Sequence, residues 1–337
     1  MSEVRRDIVT DTWVIVDTDV SQALPRTIEE PVVVEEGCPF CDGQEHQTPK
    51  EIYSVRGDSA PNTPGWRVRV VPNKDLILRI EGELTRTGVG IYDKVNGIGA
   101  TEVIIETPRH TANFFELDED QIALVLKTYG QRIADLHKDV RFRYVLIYKN
   151  HGRLAGASTI SHLHSEAIAL PATPIRVKQK LNGAREYYEY KERCIFCDII
   201  QQEVETEERL VYRDSHFIVI APYASRFPFE LSVFPLKHSH VYTDMTEEAG
   251  RSLARVLGKV TRVLYDELKN PPYNFILHNS PNLLPHKDYW KTIKDDFHWH
   301  IEIIPRIQRT SGFEWGTGFH INRMAPEAVA KRLRKLI

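Results

Sequence analysis

Cys38-Pro39-Phe40-Cys41-Asp42 returns later in the chain as Cys194-Ile195-Phe196-Cys197-Asp198, alike at four of five positions. Outward from these stretches the same features follow in the same order. Glu102-Val103-Ile104-Ile105-Glu106-Thr107-Pro108-Arg109-His110 lies against Glu230-Leu231-Ser232-Val233-Phe234-Pro235-Leu236-Lys237-His238. Each is an apolar, β-branched run that predicts a strand and ends on a histidine. Asp118-Glu119-Asp120 and Thr246-Glu247-Glu248 then each open an amphipathic helix. Ile122, Val125, Tyr129, Ile133 and Leu136 recur at helical spacing in one, and Leu253, Val256, Leu257, Val260 and Leu264 in the other. A further strand is predicted over 143–148 and 273–278. Each copy closes on His-x-His, as His162-Leu163-His164-Ser165-Glu166 and His298-Trp299-His300-Ile301-Glu302. Five features in one order, twice, predict an α+β fold duplicated within the chain, with antiparallel sheets and flanking helices. The halves are expected over 1–176 and 190–337.

The copies differ in length between these marks: 69 residues separate Cys41 from His110, against 41 between Cys197 and His238. The excess includes 81–99, rich in glycine and charge, which predicts a hairpin or loop. Residues 178–191 are polar and read as a connecting helix or linker. Over 337 residues, 42% hydrophobic and 27% charged side chains describe a globular chain and exclude a disordered one. A net charge of −3 without a Lys/Arg stripe argues against a nucleic-acid partner. No apolar run approaches the roughly 20 residues of a membrane span. Met1-Ser2-Glu3-Val4-Arg5-Arg6-Asp7 has no apolar stretch behind its charges, so a cytoplasmic protein without a signal peptide is expected.

Four cysteines are too few for a disulfide scaffold. With the histidines they form two possible Cys₂His₂ sets for tetrahedral zinc: Cys38, Cys41, His110 and His162, then Cys194, Cys197, His238 and His298. Two zinc ions per chain are expected. His240 and His300, two residues on, compete with His238 and His298 for the second set. The plainer readings are small core cysteines, or redox chemistry, which lacks its βαβ context here. In an extended strand His162, His164 and Glu166 stand in a row, and so do His298, His300 and Glu302. With His162 anchored, His164 faces a pocket, where a neutral imidazole can attack phosphorus. Ahead of it, Asn150-His151-Gly152-Arg153-Leu154-Ala155-Gly156-Ala157-Ser158 supplies small residues that let backbone N–H groups approach an anion. The second copy lacks such a loop and is expected to support the site without running another.

Together these residues resemble the histidine-triad superfamily, in its duplicated branch containing galactose-1-phosphate uridylyltransferase. The sharpest element is Asn150…Gly156-Ala157-Ser158…His162-Leu163-His164, and the resemblance runs from about Cys38 to the C-terminus. It implies a double displacement. His164 would attack the α-phosphorus of a nucleoside diphosphate sugar, sugar 1-phosphate would leave, and an incoming sugar 1-phosphate or phosphate would take the nucleotide. It further implies substrate contacts from Asn73, Asn150, Gly156, Ser158 and Glu166, zinc on Cys38, Cys41, His110 and His162, one continuous sheet, and a homodimer. The activity implied is a nucleotidyltransferase of galactose metabolism, a UDP-glucose–hexose-1-phosphate uridylyltransferase. The alternative is a phosphorylase or hydrolase of ADP-sugars or dinucleoside polyphosphates, using the same histidine.

The second cysteine pair and residues 312–322 resemble a plant branch that acts as an ADP-glucose phosphorylase. In the uridylyltransferases the second metal is held by histidines and a carboxylate, a role open to His278 and His300, although core and pocket residues are the favoured reading of both. Trp66 and Phe40 are candidates for stacking on the base. Two departures stand out. Thr159-Ile160-Ser161 is one residue longer than the family's spacing between Ser158 and His162, and Glu166 stands where the family has Gln. A carboxylate cannot donate to a phosphate oxygen as an amide does. Like charges about 4 Å apart repel by roughly 4 kcal/mol at an effective dielectric of about 20. Glu166 is therefore expected to be protonated, screened by a cation, or turned toward a ribose hydroxyl or His164, while acting with His164 in catalysis.

Overall fold

The computed structural model describes residues 1–18, 37–111, 113–157, 160–284 and 290–337. Its centre is one antiparallel sheet of ten strands. The first copy supplies β3 (Tyr53–Arg56), β4 (Trp66–Pro72), β7 (Ala100–Ile105), β8 (Tyr144–His151) and β9 (His164–Leu170). The second supplies β10 (Leu210–Arg213), β11 (Phe217–Ile220), β12 (Leu231–Pro235), β13 (Tyr273–His278) and β14 (His300–Pro305). Their order is β10-β11-β12-β14-β13-β8-β9-β7-β4-β3, so each copy repeats the other outward from a central seam. At that seam β8 and β13 run antiparallel, with Asn150 opposite Asn274 and Tyr148 opposite Ile276.

Both faces are covered, which is why β7 and β12 are buried along their whole length: helices lie on both sides of β12, while the second face of β7 packs against Cys38, Phe40 and Trp66. On one face α1 (Glu119–Leu136) packs beside α4 (Glu247–Leu268). Each starts where the sequence places an acidic cluster. Asp118 accepts from the Gln121 N–H, and Thr246 from the Ala249 N–H, satisfying donors that a helix start leaves free. Their apolar stripes bury against Val68, Ile104, Val145, Val233 and Ile301 in the main core. On the other face α2 (Ile175–Lys191) and α3 (Ile195–Thr206) close over Tyr144, Ile218, Ile220 and Phe234. The predicted linker is thus α2, and the 81–99 insertion carries the exposed hairpin of β5 (Arg86–Val89) and β6 (Tyr92–Val95). β1 (Ser2–Arg6) and β2 (Trp13–Asp17) form a smaller sheet with β15 (His320–Asn322), which lies parallel to β2 and so joins the two ends of the chain.

Two expectations need correction. The strands β9 and β14 begin at His164 and His300, so His162 and His298 lie before them and no row of three forms on either strand. The chain leaves the ladder there because Leu163 N–H donates to Thr111 O at 2.8 Å, and Trp299 N–H to Ser239 O at 2.9 Å, outside the sheet. The alignment of the copies also shifts by one residue. Val103 pairs with Glu166 and Ser232 with Glu302, which equates Val103 with Ser232 where the sequence alignment set it against Leu231. In a strand that slip exchanges the two faces.

His137, just past α1, has a buried Nε2 without a partner, and burial pushes its pKa down to about 4. An unfolded histidine titrates near 6.5, so the fold's preference for the neutral ring is fully felt above that pH and is lost as pH falls toward 4. Denaturant unfolding of His137→Gln at neutral pH and near pH 4 should show less acid destabilisation than the parent chain, by at most about 3 kcal/mol.

Candidate active site

Both Cys₂His₂ sets assemble as the spacing predicts. In the first, Cys38 Sγ lies 3.6 Å from His162 Nδ1, and Cys41 Sγ lies 3.5 Å from His110 Nδ1 and 3.6 Å from His162 Nδ1. In the second, Cys197 Sγ is 3.3 Å from His238 Nδ1 and 3.7 Å from His298 Nδ1. The four ligand atoms of each set lie within 4.8 Å of one another. Ligands at about 2.3 Å for sulfur and 2.0–2.1 Å for nitrogen around a tetrahedral ion stand roughly 3.6 Å apart, so both sets could hold a metal. His162 Nε2–H donates to Thr107 O at 2.7 Å and His238 Nε2–H to Lys294 O at 2.8 Å, turning each Nδ1 lone pair toward the sulfurs. Burial and then Cys38 push the Cys41 thiol up to about 11, so two thiolates there call for a cation. The Cys194 thiol, helped by His238 and His298 against burial, draws Cys197 down to about 3. His240 stays outside the second set, and His300 belongs to another cluster.

His164 opens β9, two residues beyond the metal-side His162. Its Nδ1–H donates to the His162 carbonyl at 2.6 Å, which fixes the tautomer and leaves the Nε2 lone pair unbonded among the described residues. Burial lowers its pKa, with Lys149 adding to the effect and the hydrogen bond to His162 opposing it, so the ring is neutral at pH 7. Phe40 packs edge-on, its ring centroid 5.2 Å away. Behind His164, buried Lys149 donates to Glu106 and, at 3.2 Å, to the His164 carbonyl. Glu106 also accepts from the hydroxyls of Tyr129 and Ser165.

Glu166 follows His164 on the same face of β9. Asn73 Nδ2 donates to it at 3.2 Å, and Tyr148 stands opposite it in β8. Burial and then Glu166 push the Tyr148 phenol up, keeping it protonated. Asn150 accepts from Asn274 Nδ2 at 2.8 Å, and its own Nδ2 lies 3.4 Å from Gly156 O. Gly156 has φ +90°, a conformation that side chains rarely adopt. Ser158 lies outside the described residues. Trp66 is 2% exposed, with its indole N–H on Glu45 at 2.7 Å, so it offers no face to a base.

The ladder also reveals what became of the second copy. Tyr148 pairs with Glu166 as Ile276 pairs with Glu302, so His278, His300 and Glu302 stand where Asn150, His164 and Glu166 stand in the first copy. These three lie within 4.8 Å of one another, buried, like a metal-binding group. Yet Lys180 of α2 reaches between them, 2.6 Å from His300 Nε2 and bonded to Glu302, while Arg226 takes the other Glu302 oxygen at 2.8 Å. Burial and then Lys180 keep both imidazoles neutral, His278 at about 4. The lone pair left unbonded at His164 in one half is here an acceptor for an ammonium. Sequence reading missed Lys149, although a lysine inside an apolar strand run is itself a signal. Lys180 gave none, because it crosses from another element.

Residues 79–208 match the galactose-1-phosphate uridyl transferase N-terminal domain, and residues 180–335 its C-terminal domain. The chain is 31% identical to the ADP-glucose phosphorylase of Arabidopsis thaliana, covering 99% of this chain and 93% of that one. It is 28% identical to the galactose-1-phosphate uridylyltransferase of Thermotoga maritima, covering 99% and 98%. The crystal structure of the Arabidopsis thaliana ADP-glucose phosphorylase with bound ADP-glucose matches with a TM-score of 0.83 at 29% identity, covering 100% of this chain and 99% of that chain. Fold and relatives define a nucleotidyltransferase enzyme. The chain belongs to the galactose-1-phosphate uridyl transferase family.

The Lys149–Glu106 pair is testable by stability alone. Lys149→Met leaves Glu106 buried without its cation and should cost about 3–5 kcal/mol in chemical denaturation. Adding Glu106→Gln removes the stranded charge and should recover part of that loss.

Proposed function

We propose that this chain moves a nucleoside monophosphate from a nucleotide sugar to an acceptor through a covalent intermediate on His164. The observation that carries this reading is the His164 ring, pinned through Nδ1–H to His162 O with Nε2 free. Nε2 attacks the α-phosphorus, the bond from that phosphorus to the bridging oxygen breaks, and sugar 1-phosphate leaves with the electron pair. The His162 carbonyl stabilises the positive charge that the ring gains. An acceptor oxygen then attacks the same phosphorus and the P–N bond breaks. Asn73, Asn150, Gly156 and Ser158 bind nucleotide and phosphates, and Glu166 acts beside His164, fixing the Asn73 amide.

The metal in each Cys₂His₂ set is zinc, two per chain. In the first set it serves as a rigid anchor two residues from the nucleophile. The division of labour follows the halves 1–176 and 190–337, with the chemistry in the first. No helix among the described residues is long and apolar enough to cross a membrane, and the free thiols suit a reducing cytoplasm. We place the enzyme there, as a homodimer.

Two substrate pairs fit this chemistry. UDP-glucose with a hexose 1-phosphate, in galactose metabolism, follows from the family. An ADP-sugar with phosphate as acceptor is supported by the 31% identity to the Arabidopsis thaliana enzyme and by the complete second Cys₂His₂ set, and is the pair we favour.

Incubation with UDP-glucose or ADP-glucose, without acceptor, should add a uridylyl or adenylyl group detectable by intact mass. Galactose 1-phosphate or phosphate should then discharge it. His164→Ala should form no adduct, and nucleotide-sugar turnover surviving that change would end the proposal. Glu166→Gln should alter both the rate and its pH profile, since it replaces a charge beside the phosphates; identical curves would remove Glu166 from the catalytic set. Elemental analysis should find two zinc ions per chain, with no third at His278 and His300, where Lys180 already supplies the positive charge.

A further inference from the structure

Asn274 belongs to the second copy, yet its side chain ends in the loop that precedes the nucleophile of the first. It stands directly opposite Asn150 where β13 meets β8. Its amide nitrogen donates to Asn150 Oδ1 at 2.8 Å and to Ala155 O at 2.7 Å, which uses both of its hydrogens. The first bond decides which way the Asn150 amide points. With Oδ1 turned to Asn274, the nitrogen faces Gly156, and a Cβ built on Gly156 would stand 3.7 Å from it. One hydrogen of that nitrogen reaches Gly156 O, and the other has no partner among the described residues. The second bond holds the single turn of residues 153–155, from which Gly156 departs with positive φ.

A phosphate oxygen can only accept, so Asn150 serves it with N–H₂ outward and opposes it when flipped. We infer that Asn274 is a positioning residue for nucleotidyl transfer, by which the second half orients the Asn150 amide and the 152–157 loop of the first toward the phosphates of the donor. This rests on the function proposed above. Sealing the seam does not require Asn274, because β8 and β13 already pair from Tyr273 to Leu277 through their backbones.

The test is a double-substitution cycle read by the rate of adduct formation, under single-turnover conditions, with UDP-glucose and ADP-glucose as probes. Asn274→Ala should slow adduct formation about tenfold at saturating donor, with half-saturation changed by less than about threefold. In an Asn150→Ala background the same change should cost less than about twofold, because the group it orients is gone. Asn274→Asp keeps the shape but sets a carboxylate against Asn150 Oδ1, which favours the flipped amide, so it should be slower than Asn274→Ala; it also serves if the alanine variant does not fold. Parental rates in either single variant, or an equal loss with and without Asn150, would overturn the inference and leave the proposed function standing. Failure of the unsubstituted chain to form any adduct would overturn both.

Discussion

A single carboxylate, that of Glu106, holds the first half together. It sits just past β7 and accepts from Lys149 on β8, Ser165 on β9 and Tyr129 on α1. A charge without exposure to solvent is tolerated only when its oxygens are fully engaged, and here three elements supply the donors. The arrangement constrains more than stability. Lys149 also bonds the carbonyl of His164, so the ion pair fixes the backbone of His164 from below while the Cys₂His₂ set holds His162 from the side. His164 is left with little freedom except at Nε2, the atom through which the proposed transfer runs.

The second half shows what the same backbone becomes without that demand. By the ladder, Lys149 corresponds to Leu277 and Ser165 to Ile301, both buried in the apolar core. The histidine equivalent to His164 is kept, and so is the glutamate two residues on, but Lys180 and Arg226 draw both into an ion-paired cluster. The Cys₂His₂ set persists in both copies, which separates its role from the chemistry: it fastens the end of a strand whether or not the next histidine reacts.

Much of this was legible in the sequence. The repeated CxxC, the paired helix starts and the closing His-x-His marks identify the duplication, because each reflects a local requirement: ligand spacing, capping, or period-two burial. The metal sets could be read because Cys38, Cys41, Cys194 and Cys197 have few other uses in such a chain. What escaped depends on contacts between distant elements. Nothing near Lys180 or Asn274 along the chain announces where their side chains end, and the one-residue offset between Val103 and Ser232 is set by the ladder. His162 and His298 fell outside their strands because loop bonds invisible to periodicity, Leu163 N–H to Thr111 O and Trp299 N–H to Ser239 O, take the chain out of the sheet.

The seam between β8 and β13 has a bearing on motion. Many two-lobed enzymes close on their substrate by bending a linker between lobes. Here the boundary between the copies is an antiparallel ladder inside a ten-stranded sheet, and β2 with β15 ties the chain's extremities on top of it. Rotating one half against the other would break a row of buried hydrogen bonds at once, so a hinge there is closed to this fold. The sheet face that carries His164 is therefore a fixed anvil. Whatever rearranges during a catalytic cycle does so in the segments above the sheet, over a floor that stays still from one turnover to the next.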